Sequence, residues 1–306
     1  MPRHVGVVFV HGILANELDF ATKMERKLRD RLPRELQGLV HFRSVFWAGS
    51  VREHQRDYIG RARATAPLWH NRLRRYVIEG LGDAAAYQKT RQRRNSVYYE
   101  VQSAISAKIK TLESPGRESM PLIFIGHSLG CHVISSYLWD LNKLMHQSED
   151  EIKNDEEPDE QALWHELRQA SPLRRLKTCA GLVTLGCNMP MFTFTFGPDA
   201  VYPITSRVTL RNGKVIEPAF PGSELPDVLQ ERAQWLNFYS KTDLLGFPLK
   251  ALNEDYRKAE KISDICISSE SPYFIPYLWC LFAHTRYWTN GKVLAKTSKL
   301  IGDIME

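Results

Sequence analysis

Gly126-His127-Ser128-Leu129-Gly130 sets a serine between two glycines, directly after the apolar run Pro121-Leu122-Ile123-Phe124-Ile125. A serine hydroxyl attacks a carbonyl only if its Oγ stands clear of the surrounding backbone, and a sharp strand-to-helix turn presents it that way. Glycines two places before and after remove the side chains that would collide with the main chain in such a turn. The pentapeptide alone is common, so its flanks matter. Leu129, Val133, Ile134, Tyr137, Leu138, Leu141 and Met145 recur at helical spacing after the serine, and a buried strand precedes it. Ser128 is thus a candidate nucleophile at the positive end of a helix.

A hydroxyl at neutral pH needs an imidazole to take its proton and an acid to hold that imidazole in the right tautomer. The glycine-flanked serine resembles the nucleophile turn of α/β hydrolases, and that resemblance implies that the three follow along the chain as Ser, then Asp or Glu, then His. Of ten histidines, only His132, His146, His165 and His284 come after Ser128, and only His284 lies beyond the last strand-like run. His284 is the candidate base. Asp243 follows the run Trp235 to Ser240 after two residues, at the carboxyl edge where sites in open parallel sheets are built. Its rivals are Asp199, Glu217, Glu224 and Asp227 in an irregular region, and Asp255 and Asp264 on or near a helix and a strand start. The oxyanion of a tetrahedral intermediate needs two backbone donors. The Leu129 amide, next after the nucleophile, is one. The other is expected from His11-Gly12-Ile13-Leu14 after the first strand, where Gly12 lets the backbone turn inward and Ile13 N–H serves ahead of Leu14 N–H.

These residues must be positioned by a sheet. Strand-like runs alternate with helix-like ones, as expected for a mostly parallel sheet of about six to seven strands covered by helices on both faces. Val5 to Val10, Val40 to Trp47, Pro121 to Ile125, Ala180 to Gly186, Trp235 to Ser240 and Ile262 to Ser268 read as strands. A helix from about Glu17, capped by Asn16, has Ala21, Met24, Leu28 and Leu32 on its apolar face. Val97, Val101, Ile105, Ile109 and Leu112 mark another, Pro158 to Gln169 a short one, and Tyr287 to Ile304 a closing one. Arg211-Asn212-Gly213-Lys214 places a hairpin turn within Thr205 to Pro218. The alternation is interrupted at about 51–94 by a helical insertion, read as a cap over the site or a surface excursion.

The chain has 306 residues, 43% hydrophobic and 25% charged, and reads as a single domain. Its net charge of +6 is uneven: Arg52 to Arg117 carries fourteen Lys/Arg against six Asp/Glu, whereas His146 to Glu160 carries eight acids and one lysine. The first reads as a solvated helical face able to contact an anionic surface, with no nucleic-acid motif beside it, and the second as an acidic surface loop. Five cysteines without a C-x-x-C or a Cys/His cluster fit reduced thiols and neither a metal site nor a cofactor. The longest apolar stretch, the ten residues Phe274 to Ala283, is too short to span a bilayer, and a cytoplasmic location is expected.

Val-Phe-Val-His11-Gly12, Gly126-His127-Ser128-Leu129-Gly130, Asn237-Phe238-Tyr239-Ser240-Lys241-Thr242-Asp243 and His284-Thr-Arg-Tyr287-Trp288 together resemble a bacterial-type, lipase- or esterase-like serine hydrolase of the α/β-hydrolase superfamily. The resemblance spans nearly the whole chain. It implies an α/β-hydrolase fold, a triad of Ser128, Asp243 and His284, and a small-molecule or lipid ester as substrate. Thioesterase, amidase or deacylase chemistry would use the same residues, and a non-catalytic binding protein on that fold is the alternative from another class. The expected acyl or alcohol pocket draws on the aromatic run Tyr273, Phe274, Tyr277, Trp279 and Phe282.

Overall fold

The computed structural model describes residues 2–12, 19–47, 49–66, 69, 78, 82–87, 97–153, 158–194, 201–210, 212–268 and 283–306. Among them, six strands form one sheet: β1 (Val5–Val10), β2 (Val40–Val45), β3 (Leu122–His127), β4 (Cys179–Leu185), β5 (Gln234–Ser240) and β6 (Ile262–Ile267). The order is β2-β1-β3-β4-β5-β6, and every neighbouring pair is parallel. Every residue of β1, β3 and β4 is buried, whereas the edge strands β2 and β6 are only partly so. That gradient explains why the central strands read as unbroken apolar runs: they are covered on both faces.

Alternate residues of each strand feed two separate cores. Val8, Val10, Leu122, Phe124 and Leu182 pack with α3 (Val97–Lys110) and α4 (Leu129–Met145), through Val101, Ile105, Ile109, Val133 and Ile134 among others. Val7, Phe9, Ile123 and Ile125 pack on the opposite face with α1 (Thr22–Arg29) and α5 (Gly291–Met305), through Met24, Leu28, Leu294 and Ile301. Asn290 starts α5 by accepting the amides of Lys292 and Val293, which would otherwise lack partners. Together the two layers make an α/β architecture with a parallel central sheet.

The sequence-predicted strands are all present, each within about two residues of its expected bounds, and the hairpin pairs Val208–Thr209 with Val215–Ile216. The first helix begins, as described, at Thr22 and buries Ala21, Met24, Leu28 and Leu32, while the predicted cap Asn16 and start Glu17 lie outside the described residues. The acidic stretch differs from the expected loop. Ser148 and Glu151 exchange side-chain and backbone hydrogen bonds (Ser148 N to Glu151 Oε2 2.6 Å, Glu151 N to Ser148 Oγ 3.2 Å), a reciprocal cap that starts the helix Glu149–Lys153 and buries Ile152.

Of the basic insertion, α2 (Gly49–Thr65) is described and exposes Arg56, Arg61 and Arg63, and Tyr87 packs beside Trp47 in the core. Arg72, Arg74, Arg75, Arg91, Arg93 and Arg94 lie outside the described residues. No helix among the described residues is long and apolar enough to cross a membrane.

Candidate active site

Ser128 sits where β3 ends and α4 begins, in the middle of the sheet. Its N–H donates to the Leu185 carbonyl at 2.9 Å, and its own carbonyl accepts from Cys131 N at 3.0 Å, so the turn is held from both sides. The backbone there has φ 55° and ψ −124°, a conformation that L residues seldom adopt. Such strain persists only where surrounding hydrogen bonds and packing over-determine it, and it accumulates at functional sites. The flanking glycines are required by space. A Cβ on Gly130 would lie 2.3 Å from the Val10 carbonyl oxygen, and one on Gly126 2.8 Å from Ile134 Cδ1 and 3.0 Å from Cys131 N. Each would push α4 off the sheet.

The loop after β1 fits against this turn. A Cβ on Gly12 would come within 2.4 Å of Ser128 Cβ, 2.6 Å of the His127 carbonyl oxygen and 3.1 Å of Leu129 N. Only glycine allows the two turns to touch, which sets the main chain after β1 directly beside the Leu129 amide. His11 holds that main chain. Its Nδ1 donates to the Gly12 carbonyl at 2.6 Å, its Nε2 accepts from Trp47 N–H at 3.1 Å, and its ring stacks on Trp47 with centroids 5.1 Å apart. Both ring nitrogens are committed, so His11 orients the loop rather than exchanging protons. Ile13 and Leu14, the expected second oxyanion donors, lie outside the described residues.

Asp243 and His284 meet. His284 Nδ1 lies 2.9 Å from Asp243 Oδ2 and 3.0 Å from Oδ1, and the aspartate side chain is fully buried. Burial alone would raise the Asp243 pKa. The hydrogen bond and charge of His284, the Leu245 amide on Oδ1 at 2.9 Å and the Tyr287 hydroxyl on Oδ2 at 2.7 Å outweigh it and hold the carboxyl below its ordinary value. Tyr287 in turn is pushed well up by burial and by the adjacent carboxylate, so it remains a donor.

Gly186, just past β4, makes room for this group. At φ 56°, a Cβ there would lie 2.9 Å from Asp243 Oδ2 and 3.0 Å from His284 Nδ1. The His284 backbone is tied to the serine turn as well, because His127 Nε2 donates to the His284 carbonyl at 2.6 Å and the two rings lie 4.8 Å apart. His284 Nε2 and Ser128 Oγ are both buried, and neither has a hydrogen-bond partner. The two atoms are therefore not hydrogen-bonded to each other, although His284 packs on His127, the residue before the serine.

The rival acids are engaged elsewhere. Asp264 accepts from Asn237 Nδ2 at 2.6 Å and from the amides of Leu249 and Lys250 at 2.9 and 2.8 Å, while Glu217 and Glu224 pair with Arg207 and Arg175. Asp227 and Asp255 stand in the first turns of short helices, and Asp199 lies outside the described residues. Of the other late histidines, His132 stacks on Phe192, His146 Nδ1 lies 2.7 Å from the Asn142 carbonyl, and His165 rests against Trp164. Sequence reasoning did not assign roles to Tyr287, His127 or Gly186. Tyr287 stands three residues after His284, close enough in the chain to suggest a shared turn, but its approach to Asp243 comes from tertiary packing. Among the described residues, no three His, Cys, Asp or Glu side chains gather as a metal site.

His127 and His132 give the site a pH limit. Burial, reinforced by the neighbouring His284, holds the His127 pKa down at about 3, and burial holds that of His132 at about 4. Both pKa values are depressed below the unfolded value of about 6.5, so the unfolded chain binds more protons as pH falls. Their neutral-state contribution is complete above pH 6.5 and is lost as pH drops toward 4, at about 1.4 kcal/mol per pH unit for each histidine. Urea midpoints measured between pH 7.5 and 5 should fall steeply, and His132→Gln should reduce the slope by one such increment. An unchanged slope in that variant would refute the assignment.

Compared with known protein families and with curated protein sequences, the chain matches none.

Proposed function

We propose that the protein is a serine hydrolase of the α/β-hydrolase type that cleaves carboxylic esters through an acyl-enzyme on Ser128. One observation carries the reading: a buried Asp243–His284 pair brings an unpartnered Nε2 beside the strained turn that bears an unpartnered Ser128 Oγ. With Asp243 accepting from Nδ1–H, the imidazole lone pair is on Nε2. In the reacting complex Nε2 takes the hydroxyl proton as Oγ bonds to the ester carbonyl carbon, and the resulting oxyanion faces the Leu129 amide. The imidazolium then gives its proton to the departing alkoxide as the carbon–oxygen bond breaks. Water, deprotonated by the same nitrogen, adds to the acyl-enzyme and releases the carboxylic acid with the proton returned to Ser128.

The test is covalent. A fluorophosphonate probe should add to Ser128, with the modified peptide identified by mass spectrometry, and Ser128→Ala should abolish the adduct. An unlabelled wild-type protein, or equal labelling of the variant, ends the proposal. Comparing an aryl ester with the matching thioester and anilide identifies which acyl bond is cleaved.

Tyr287 takes a positioning role in this scheme. Tyr287→Phe removes the 2.7 Å donor to Asp243 and leaves a buried carboxylate oxygen one hydrogen bond short, a loss of about 1.5–3 kcal/mol. The aspartate then binds its proton more readily, so the acid limb of the kcat/KM profile should move to higher pH, with kcat reduced roughly 10-fold. A packing role alone would lower stability and leave the limb in place.

A further inference from the structure

Two segments that leave adjacent strands enclose a groove of about 450 Å³ at the carboxyl edge of the sheet. One follows β4 and includes the short helix Met189–Thr193; the other follows Asp243 after β5 and runs from Phe247 to Asn253. Pro190, Phe194, Val201, Phe247, Pro248 and Leu252 line it, and none of the described lining residues is charged. The two polar side chains among these described residues are occupied within the protein. Thr193 Oγ1 donates to the Pro190 carbonyl at 2.7 Å, and Asn253 accepts from Tyr256 N at 3.0 Å while donating to the Val201 carbonyl at 2.7 Å.

The chain that supplies Phe247 to the groove also packs against the Asp243 site. Phe247 N donates to the Cys187 carbonyl at 3.0 Å, and a Cβ on Gly246 would lie 2.9 Å from Gly186 Cα and 2.4 Å from Asp243 Oδ2. Phe192, in the same short helix as Pro190 and Thr193, stacks on His132, one helical turn after Ser128, with ring centroids 4.4 Å apart. The near wall is fixed from beneath, since Asn237 Nδ2 donates to the Phe247 carbonyl at 3.0 Å and Asp264 holds the Leu249 and Lys250 amides. Phe194, one of the lining residues, is 79% exposed, which is high for a large apolar side chain.

We infer that this groove takes an uncharged aliphatic chain, the acyl group of the ester, and this rests on the hydrolase reading above. The volume lies within the roughly 300–1,000 Å³ of small-molecule sites, and the described lining residues, apolar apart from two side chains already hydrogen-bonded within the protein, reward apolar burial. The expected occupant runs from the carbonyl at Ser128 past the Asp243 loop and between the two walls.

Each methylene buried there raises kcat/KM by up to about 4-fold, equivalent to about 0.8 kcal/mol, so an octanoyl ester, six methylenes longer, should exceed an acetyl ester by up to on the order of 10³-fold. Thr193→Trp fills the groove from one wall and Ala251→Trp from the other. Each should lower octanoyl turnover at least 10-fold and leave acetyl turnover within 2-fold. Equal losses on both esters, or none on either, overturn the assignment.

A binding arm separates this proposal from the hydrolase reading. By calorimetry, 1-octanol should bind Ser128→Ala, and binding should vanish in Ser128→Ala/Thr193→Trp with its circular dichroism spectrum unchanged. If the fluorophosphonate probe leaves Ser128 unmodified yet octanol binds and Thr193→Trp removes it, the hydrolase reading falls and the groove stands. If Ser128 is labelled but octanol does not bind, or octanoate binds more tightly than octanol, the groove proposal falls alone.

Discussion

Ser128→Gly should abolish ester turnover and at the same time make the protein more stable. The activity loss is expected on the order of 10⁵–10⁶-fold in kcat, the scale seen when a hydrolase loses its attacking hydroxyl. The stability gain comes from the backbone. At φ 55° and ψ −124°, an L residue carries roughly 1–3 kcal/mol of strain that glycine does not. Glycine gives back about 0.5–1 kcal/mol through the greater freedom of its unfolded chain, leaving a net gain of about 1 kcal/mol. Ser128→Ala provides the control, because it removes the hydroxyl but keeps the Cβ and hence the strain. Urea denaturation of the pair isolates the backbone effect. Ser128→Gly equal to or less stable than Ser128→Ala would remove the case for a strained turn at this position, whatever happens to activity.

Asp243→Asn should lower kcat about 10⁴-fold while leaving the fold intact, through the position of one proton. The native carboxylate accepts from three donors: His284 Nδ1, which reaches both oxygens, Leu245 N on Oδ1 and Tyr287 O–H on Oδ2. Asparagine keeps one acceptor, which the Leu245 amide claims. Its amino group occupies the other position, facing His284 and the Tyr287 hydroxyl, which can rotate to accept. The imidazole then favours a bare Nδ1 and a protonated Nε2, so Nε2 has no lone pair to offer a hydroxyl. Raising the pH does not restore it, since the defect is tautomeric. The comparison of kcat at pH 7 and pH 9 with thermal melting of the variant checks this. A variant that retains more than a tenth of the wild-type rate would show that Asp243 does not set the tautomer.

How much of this was legible in the chain depends on how local each cause is. The central strands are readable because burial on both faces leaves an apolar run, as in Val5–Val10 and Leu122–His127. The helix after Ser128 is readable because its inward residues recur every three to four positions. The cap at Ser148 and Glu151 was equally local, yet the high acidic content around it drew the reading toward a loop. Composition there masked a hydrogen-bonding pattern three residues long. The outer strands β2 and β6, only partly buried, blurred at their ends for the opposite reason, since less covering leaves a weaker pattern.

By itself the sequence determined the alternation of strands and helices, the glycine-flanked serine and the order in which an acid and a histidine follow it, because each is encoded in spacing along the chain. Tertiary structure alone decided which groups hold Asp243 and which engage its rival Asp264. Asp243 lies three residues beyond the carboxyl end of β5 and is buried against an imidazole, whereas Asp264 lies within β6 opposite Asn237 and accepts from the Leu249 and Lys250 amides. It also decided the roles of Tyr287, Gly186 and the groove beside the Asp243 loop. Those depend on how close separate segments come to one another, and a linear spacing carries no measure of that distance.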